Sequence, residues 1–290
     1  MQHPWPLSSW YNFFGGNLHQ KEVREKASSF VGTADSYGQY SESTRRLALI
    51  LEYDGTNYRG FQWQFRVPSI QKKLESAIQQ LTGETTRIRG ASRTDSGVHA
   101  KGQVVDFLTD TKYSTDTFVR ALNSYLRPDI TVRGAWDAPL DFNSRKDAIS
   151  RVYRYTLLNA QWPSALMRDY SHWVRSPLDV ASMSEAAGYL KGTHDFSGFT
   201  VSLPPGKSPV RSVKRWDVWR EGELVFIEAE AISFLPHQVR RTNGVLVEIG
   251  LGKTFKDVIK GLIDGTLGEL KRRPSLPAKG LCLMKVNYPN

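Results

Sequence analysis

TRIRGASRTDSGVHAKGQVVDFL, residues Thr86 to Leu108, holds two strand-like runs, Thr86–Arg89 and Gln103–Leu108, around a polar turn. The turn, Arg93-Thr94-Asp95-Ser96-Gly97, supplies a cation and a carboxylate, and His99 adds an imidazole just beyond it. Catalytic groups are concentrated on loops carried by rigid sheets, which makes Asp95 the leading candidate for chemistry. Local turn formation is the competing explanation, because Asp before Ser-Gly bonds the backbone two residues on and Gly97 accepts positive φ.

Outward from this hairpin the pattern is regular. Leu47–Tyr53 reads as a strand that stops at Asp54-Gly55; Ile70, Leu74, Ala77, Ile78 and Leu81 then fall on one helix face, closed by Gly83. After the hairpin, Asp116 is expected to cap a helix through Phe118, Val119, Leu122 and Leu126, and Ile130–Ala135 returns as a strand. The order is β-α-β-β-α-β. Beyond it come a strand at Arg151–Leu158, a helix at Asp179–Leu190, strands at Val213–Trp219 and Leu224–Ala231, helices at Pro236–Ile249 and Phe255–Ile263, and a strand at Gly280–Tyr288. This repeat implies an α/β protein of the α+β type: two tandem ferredoxin-like units with largely antiparallel sheets, helices on one face and a central catalytic cleft at the junction. The units are expected at residues 45–148 and 149–290. Residues 1–44 read as an N-terminal extension, mostly disordered, with a short helix near Gln20–Ser28.

At 290 residues the chain suits one large or two modest domains. It has no apolar run of membrane-spanning length and no signal-peptide pattern at its start, so a cytoplasmic location is expected. Its single cysteine, Cys282, excludes an internal disulfide framework and reads as a small buried hydrophobe. Net charge is +10, and residues 1–45 contribute none of it. Such an excess suits a protein that neutralises phosphates.

Three further residues stand beside Asp95 as chemical candidates: Arg93 in the turn, Tyr153 on the Arg151–Leu158 strand and Arg240 on the Pro236–Ile249 helix. A carboxylate held by an arginine stays ionised and oriented, which suits a nucleophile or a base. The plainer alternatives are cross-strand packing for Tyr153 and a phosphate or surface contact for Arg240. His99, His194 and His237 lack metal-ligand spacing, and Gly250-Leu251-Gly252-Lys253 lacks that of a phosphate-binding loop, so neither metal nor nucleotide cofactor is expected. Aromatic and basic residues interleave in Tyr58–Gln64, which contains Arg59, and in Arg211–Arg220, a mixture suited to stacking bases and holding phosphates.

Taken together, GASRTDSGVHA at 90–100, LEYDGTNYRGFQWQ at 51–64, RVYRYTL at 151–157 and FLPHQVRRTNG at 234–244 resemble the tRNA pseudouridine synthase A family. The likeness runs in order from about Leu47 to Tyr288. It implies an enzyme that converts uridine to pseudouridine at positions 38 to 40 of the tRNA anticodon stem-loop, without metal or cofactor, as a homodimer whose basic cleft spans both subunits. It assigns the catalytic aspartate to Asp95, the tyrosine lying on the base to Tyr153 and the basic partner of the aspartate to Arg240. By the same likeness Arg93 helps displace or hold the target nucleotide; Thr94, His99, Arg59 and Arg241 complete the expected substrate contacts. One departure is that Arg241, Thr242 and Asn243 stand where the family commonly has Asn-Ile-Val before the glycine. A non-catalytic RNA-binding protein keeps the basic groove but gives Asp95 no role, and a hydrolase of phosphorylated small molecules would lack metal ligands.

Overall fold

The computed structural model describes residues 41, 43–201, 203, 206–267 and 275–289, so the expectations for residues 1–40 lie outside it. The first half contains β1 (Arg45–Tyr53), α1 (Ile70–Thr82), β2 (Arg89–Gly90), β3 (His99–Thr109), α2 (Thr115–Tyr125) and β4 (Ile130–Ala138). There follow β5 (Ser150–Asn159), β6 (His172–Val174), α3 (Val180–Gly188), β7 (Gly192–Asp195), β8 (Val210–Glu221), β9 (Leu224–Ala231), α4 (Gln238–Gly250), α5 (Val258–Ile263) and β10 (Leu281–Asn287). The protein is a mixed α/β structure built on one large open sheet. Its strand order is β4-β1-β3-β10-β5-β9-β8-β7, with β2 joined to β3 and β6 to β5.

Local chemistry explains most boundaries. Ser69 caps α1 by accepting from the Lys72 N–H, and Gly83 ends it in the left-handed conformation. At α2 the cap is Ser114, not Asp116: the Ser114 hydroxyl accepts from the Thr117 N–H, and Asp116 lies inside the first turn, where its charge favours the helix dipole. The expected strand Thr86–Arg89 shrinks to Arg89–Gly90, because side chains replace ladder partners: the Ile88 N–H donates to the Glu75 carboxylate, and the Leu108 carbonyl of β3 accepts from the Thr86 hydroxyl. β3 begins four residues before the expected Gln103.

β3 is the pivot of the sheet. Along one edge it pairs antiparallel with β1; on the other it pairs antiparallel with β2 at Asp106 and Val105, and parallel with β10 at His99 and Ala100. β2 and β10 therefore diverge along β3, and the Asp95 turn, which joins β2 to β3, lies at that fork. Asp106, fully buried, ties the region together by accepting from Arg46 Nη1 at 2.6 Å, from both Arg89 Nε and Nη2, and from the Ser144 N–H. A buried carboxylate needs such cationic and N–H partners to stay charged. Most buried hydrophobic residues join one cluster that extends from Leu47 to Tyr288. The polar residues Thr242 and Asn243 of α4 lie within it, and Asn243 accepts a hydrogen bond from Trp216 Nε1 on β8.

Candidate active site

The Asp95 turn is braced from two sides. Gln103, fully buried on β3, accepts from the Ser92 N–H at 3.1 Å and donates to its carbonyl at 2.6 Å. On the other side, the Phe61 N–H donates to the Thr94 carbonyl, while the Gly97 N–H and the Ser96 hydroxyl donate to Tyr58. Gly60 makes this approach possible: a Cβ there would lie 2.8 Å from the Thr94 carbonyl oxygen. Gly97 has φ +76, as the turn chemistry requires. Thr94 is buried, with its hydroxyl 2.8 Å from the Tyr53 hydroxyl, so it supports the turn from beneath.

Asp95 opens onto a cleft of about 620 Å³. The walls come from the Asp95 turn, the 145–148 segment, β5 and the approach to α4. Arg93, Arg145, Lys146, Arg151, Lys207, Arg211 and Arg240 line it, and Asp95 is the one acidic side chain among the described residues that does. Arg240 Nη1 lies 3.4 Å from Asp95 Oδ2, and Arg240 Nε donates to the Leu276 carbonyl at 2.7 Å. The Asp95 side chain is 31% exposed and that of Arg240 14%, so the arginine approaches from the wall and leaves the carboxylate facing the cleft.

Tyr153 forms another wall. Its ring packs edge-on against Phe234, its hydroxyl is 2.7 Å from Ser92 Oγ, and burial pushes its pKa up to about 12 despite the Ser92 hydrogen bond. It is therefore a neutral phenol at physiological pH. Arg151, two residues earlier, is buried and donates to the carbonyls of Ala91, Arg145, Ala148 and Ile232, tying β5 to both cleft edges. Burial lowers its pKa from the ordinary guanidinium value. An anionic ligand fits a cleft with this charge balance, and the carboxylate would meet it beside an aromatic ring.

A family model described as tRNA pseudouridine synthase matches residues 49–145 and 186–289. The chain belongs to the tRNA pseudouridine synthase family. It is 40% identical over 245 residues to the tRNA pseudouridine synthase A of Ruminiclostridium cellulolyticum, an alignment spanning 84% of this chain and all of the relative. The corresponding protein of Acetivibrio thermocellus is 42% identical over 244 residues, 84% of this chain and all of its own length. That of Roseiflexus sp. (strain RS-1) is 42% identical over 250 residues, 84% of this chain and 91% of its own. As a pseudouridine synthase, the protein is an enzyme that isomerises uridine in tRNA.

In this synthase, the structure brings Asp95, Arg93, Thr94, Tyr153 and Arg240 to one cleft. His99 lies elsewhere, in a separate cavity with Asp54 and Tyr170, where its Nδ1 is 3.1 Å from Asp54 Oδ1 and its Nε2 approaches the carbonyls of Asp169 and Lys279. Arg59 is exposed on the bracing loop, and Arg241 is half-buried; neither lines the cleft. The sequence reading missed His237, whose Nδ1 is 3.3 Å from Asp95 Oδ2, and Ser92, the partner of Tyr153. The spacing of His237 to Arg240, one helical turn, was the available signal for the first. No helix of the described residues is long and apolar enough to cross a membrane.

Proposed function

We propose that the enzyme isomerises uridine in the anticodon stem-loop, at positions 38 to 40, with Asp95 as the catalytic carboxylate. The observation that carries this reading is the Asp95 carboxylate, alone in sign in a cationic cleft and 3.4 Å from Arg240. The isomerisation breaks the N1–C1′ bond and forms a C5–C1′ bond; carbon 5 loses a proton and N1 gains one, with no net redox change. An ionised Asp95 beside the ribose acts either as nucleophile at C1′ or as base toward the sugar. Tyr153 lies along the flipped uracil and keeps its rotation in plane, Arg240 holds the carboxylate, and Arg93 holds or displaces the nucleotide. The target uridine leaves its stack to reach this depth.

The fold also supports a finer reading: two ferredoxin-like units, 45–148 and 149–290, with largely antiparallel sheets and the cleft between them. The orders β4-β1-β3-β2 and β10-β5-β9-β8 repeat in the two halves, and among the described strands only β3–β10 and β5–β6 pair parallel. A cytoplasmic homodimer that shares its tRNA between subunits follows from the family likeness.

The test is tritium release from tRNA transcripts labelled at uridine carbon 5, each with uridine at only one of positions 38, 39 and 40. Release by the parent enzyme and none by Asp95→Ala is expected. Tight binding without release by either protein would leave RNA binding as the function.

A further inference from the structure

We propose that His237 is a positioning residue for Asp95: with Arg240 it fixes Oδ2 of the carboxylate, so that Oδ1 faces the substrate. It rests on the assignment of Asp95 above.

Three observations converge on it. His237 occupies the cap position of α4 with φ +59, a left-handed conformation that non-glycine residues adopt only at a cost. Residues at such positions normally cap the helix through a side-chain hydrogen bond, and His237 makes none. Its imidazole lines the cleft instead, where Nδ1 lies 3.3 Å from Asp95 Oδ2 and 3.4 Å from Arg240 Nη1. Both basic partners of Asp95 therefore meet the same oxygen, and among the described residues Oδ1 has no hydrogen-bond or ion-pair partner.

The two contacts of Nδ1 make opposite demands. With a lone pair it accepts from the Arg240 guanidinium; with a proton it donates to the carboxylate. A neutral imidazole satisfies either partner by exchanging tautomers. Protonated imidazolium can only donate, and it adds a second positive charge beside Asp95, which weakens Oδ1 as nucleophile or base. The other charged or titratable groups sharing the cleft are Arg93, Arg145, Lys146, Arg151, Lys207, Arg211 and Tyr153. None of them is an imidazole, so conversion of His237 to the imidazolium predicts a rate that falls as pH falls.

The experiment measures single-turnover tritium release across pH 5.5 to 8.5 for the parent, His237→Asn, His237→Gly and Asp95→Ala, with transcript affinity measured separately. Asn and Gly both tolerate the left-handed backbone. Expected for both His237 variants are a roughly tenfold slower rate at pH 7.5, the size of one hydrogen bond to a charged group, affinity within twofold of the parent, and a flattened acid limb. The shape of the pH profile, normalised to its plateau, does not depend on how much enzyme is folded. A parental profile in both variants overturns the proposal, as does an affinity loss that accounts for the whole effect. Release by Asp95→Ala would instead overturn the catalytic assignment itself.

Discussion

Gly60 lies outside the cleft, yet replacing it with alanine should slow catalysis. Its φ of +92 and its contact with the Asp95 turn both oppose a side chain. An added Cβ would stand 2.8 Å from the Thr94 carbonyl oxygen and 3.3 Å from both the Asp95 carbonyl carbon and the Ser96 nitrogen. Ordinary contact near 3.4 Å requires the Thr94 carbonyl to retreat by about 0.6 Å. That carbonyl is bonded to the Phe61 N–H, so the displacement passes to the next residue, which is Asp95. A misplacement of about 1 Å costs on the order of 10²-fold in rate, so roughly tenfold to twentyfold is expected. Positive φ adds about 1–2 kcal/mol of destabilisation, a fall of roughly 2–8 °C in Tm. Gly83→Ala is the control, with φ +72 but no atom within 4 Å of the added Cβ. It should lose similar stability and keep the parental rate. Single-turnover tritium release with saturating enzyme separates rate from binding. A Gly60→Ala rate within twofold of the parent would refute the idea that the Tyr58–Phe61 loop sets the position of Asp95.

Two other perturbations test the surroundings of the site. Asp106→Ala strands the buried Arg46 and should cost about 3–5 kcal/mol in urea unfolding; a loss below about 1 kcal/mol would show that water or rearrangement satisfies Arg46. The Asp54 carboxyl is held well below its ordinary value by its His99 hydrogen bond first, with Thr56 and Tyr170 assisting against burial. Because its folded pKa is depressed, its stabilisation is present above about pH 4 and is lost as pH falls further. Asp54→Asn should flatten the stability profile between about pH 4 and 2, and an unchanged slope there would exclude Asp54 as its source.

Apolar spacing made the long strands and α1, α2 and α4 legible: α1 and α2 each bury one stripe, whereas β1, β3 and β5 are buried on both faces and read as near-continuous apolar runs. The three-residue β6 and four-residue β7 carried no such pattern: β6 exists only because its backbone reaches Leu157–Asn159 on β5. Ser114 lost to Asp116 in the sequence reading because both are good caps, and only the backbone conformation separates them. Asp95, Tyr153 and Arg240 stood out because their motifs are distinctive, and all three line one cleft, although Tyr153 falls between the two stretches that match the family model. The placement of His99 failed for a physical reason. It begins β3 facing Asp54, four residues along from Asp95 and beyond the Gly97 bend, so nearness in sequence did not become nearness in the cleft. Arg151 could not be sorted from ligand-binding cations, since its four carbonyl partners come from two distant segments, at Ala91 and Ile232, as well as from the 145–148 segment just before it.

The fork along β3 also bears on how the enzyme comes into being. β10, latest of the ten strands, fills the place between β3 and β5, pairing with one at Cys282 and Leu283 and with the other along most of its length. Until it arrives, β3 and β5 have no ladder between them, and Asp95 and Tyr153 stand on unconnected edges. A chain emerging from the ribosome would thus carry both residues long before it could join them, and long-range pairing of this kind is slow to form. Catalytic competence should appear in one step, with insertion of that strand, and products broken off upstream of it should be inert while two sheet edges remain open to aggregation.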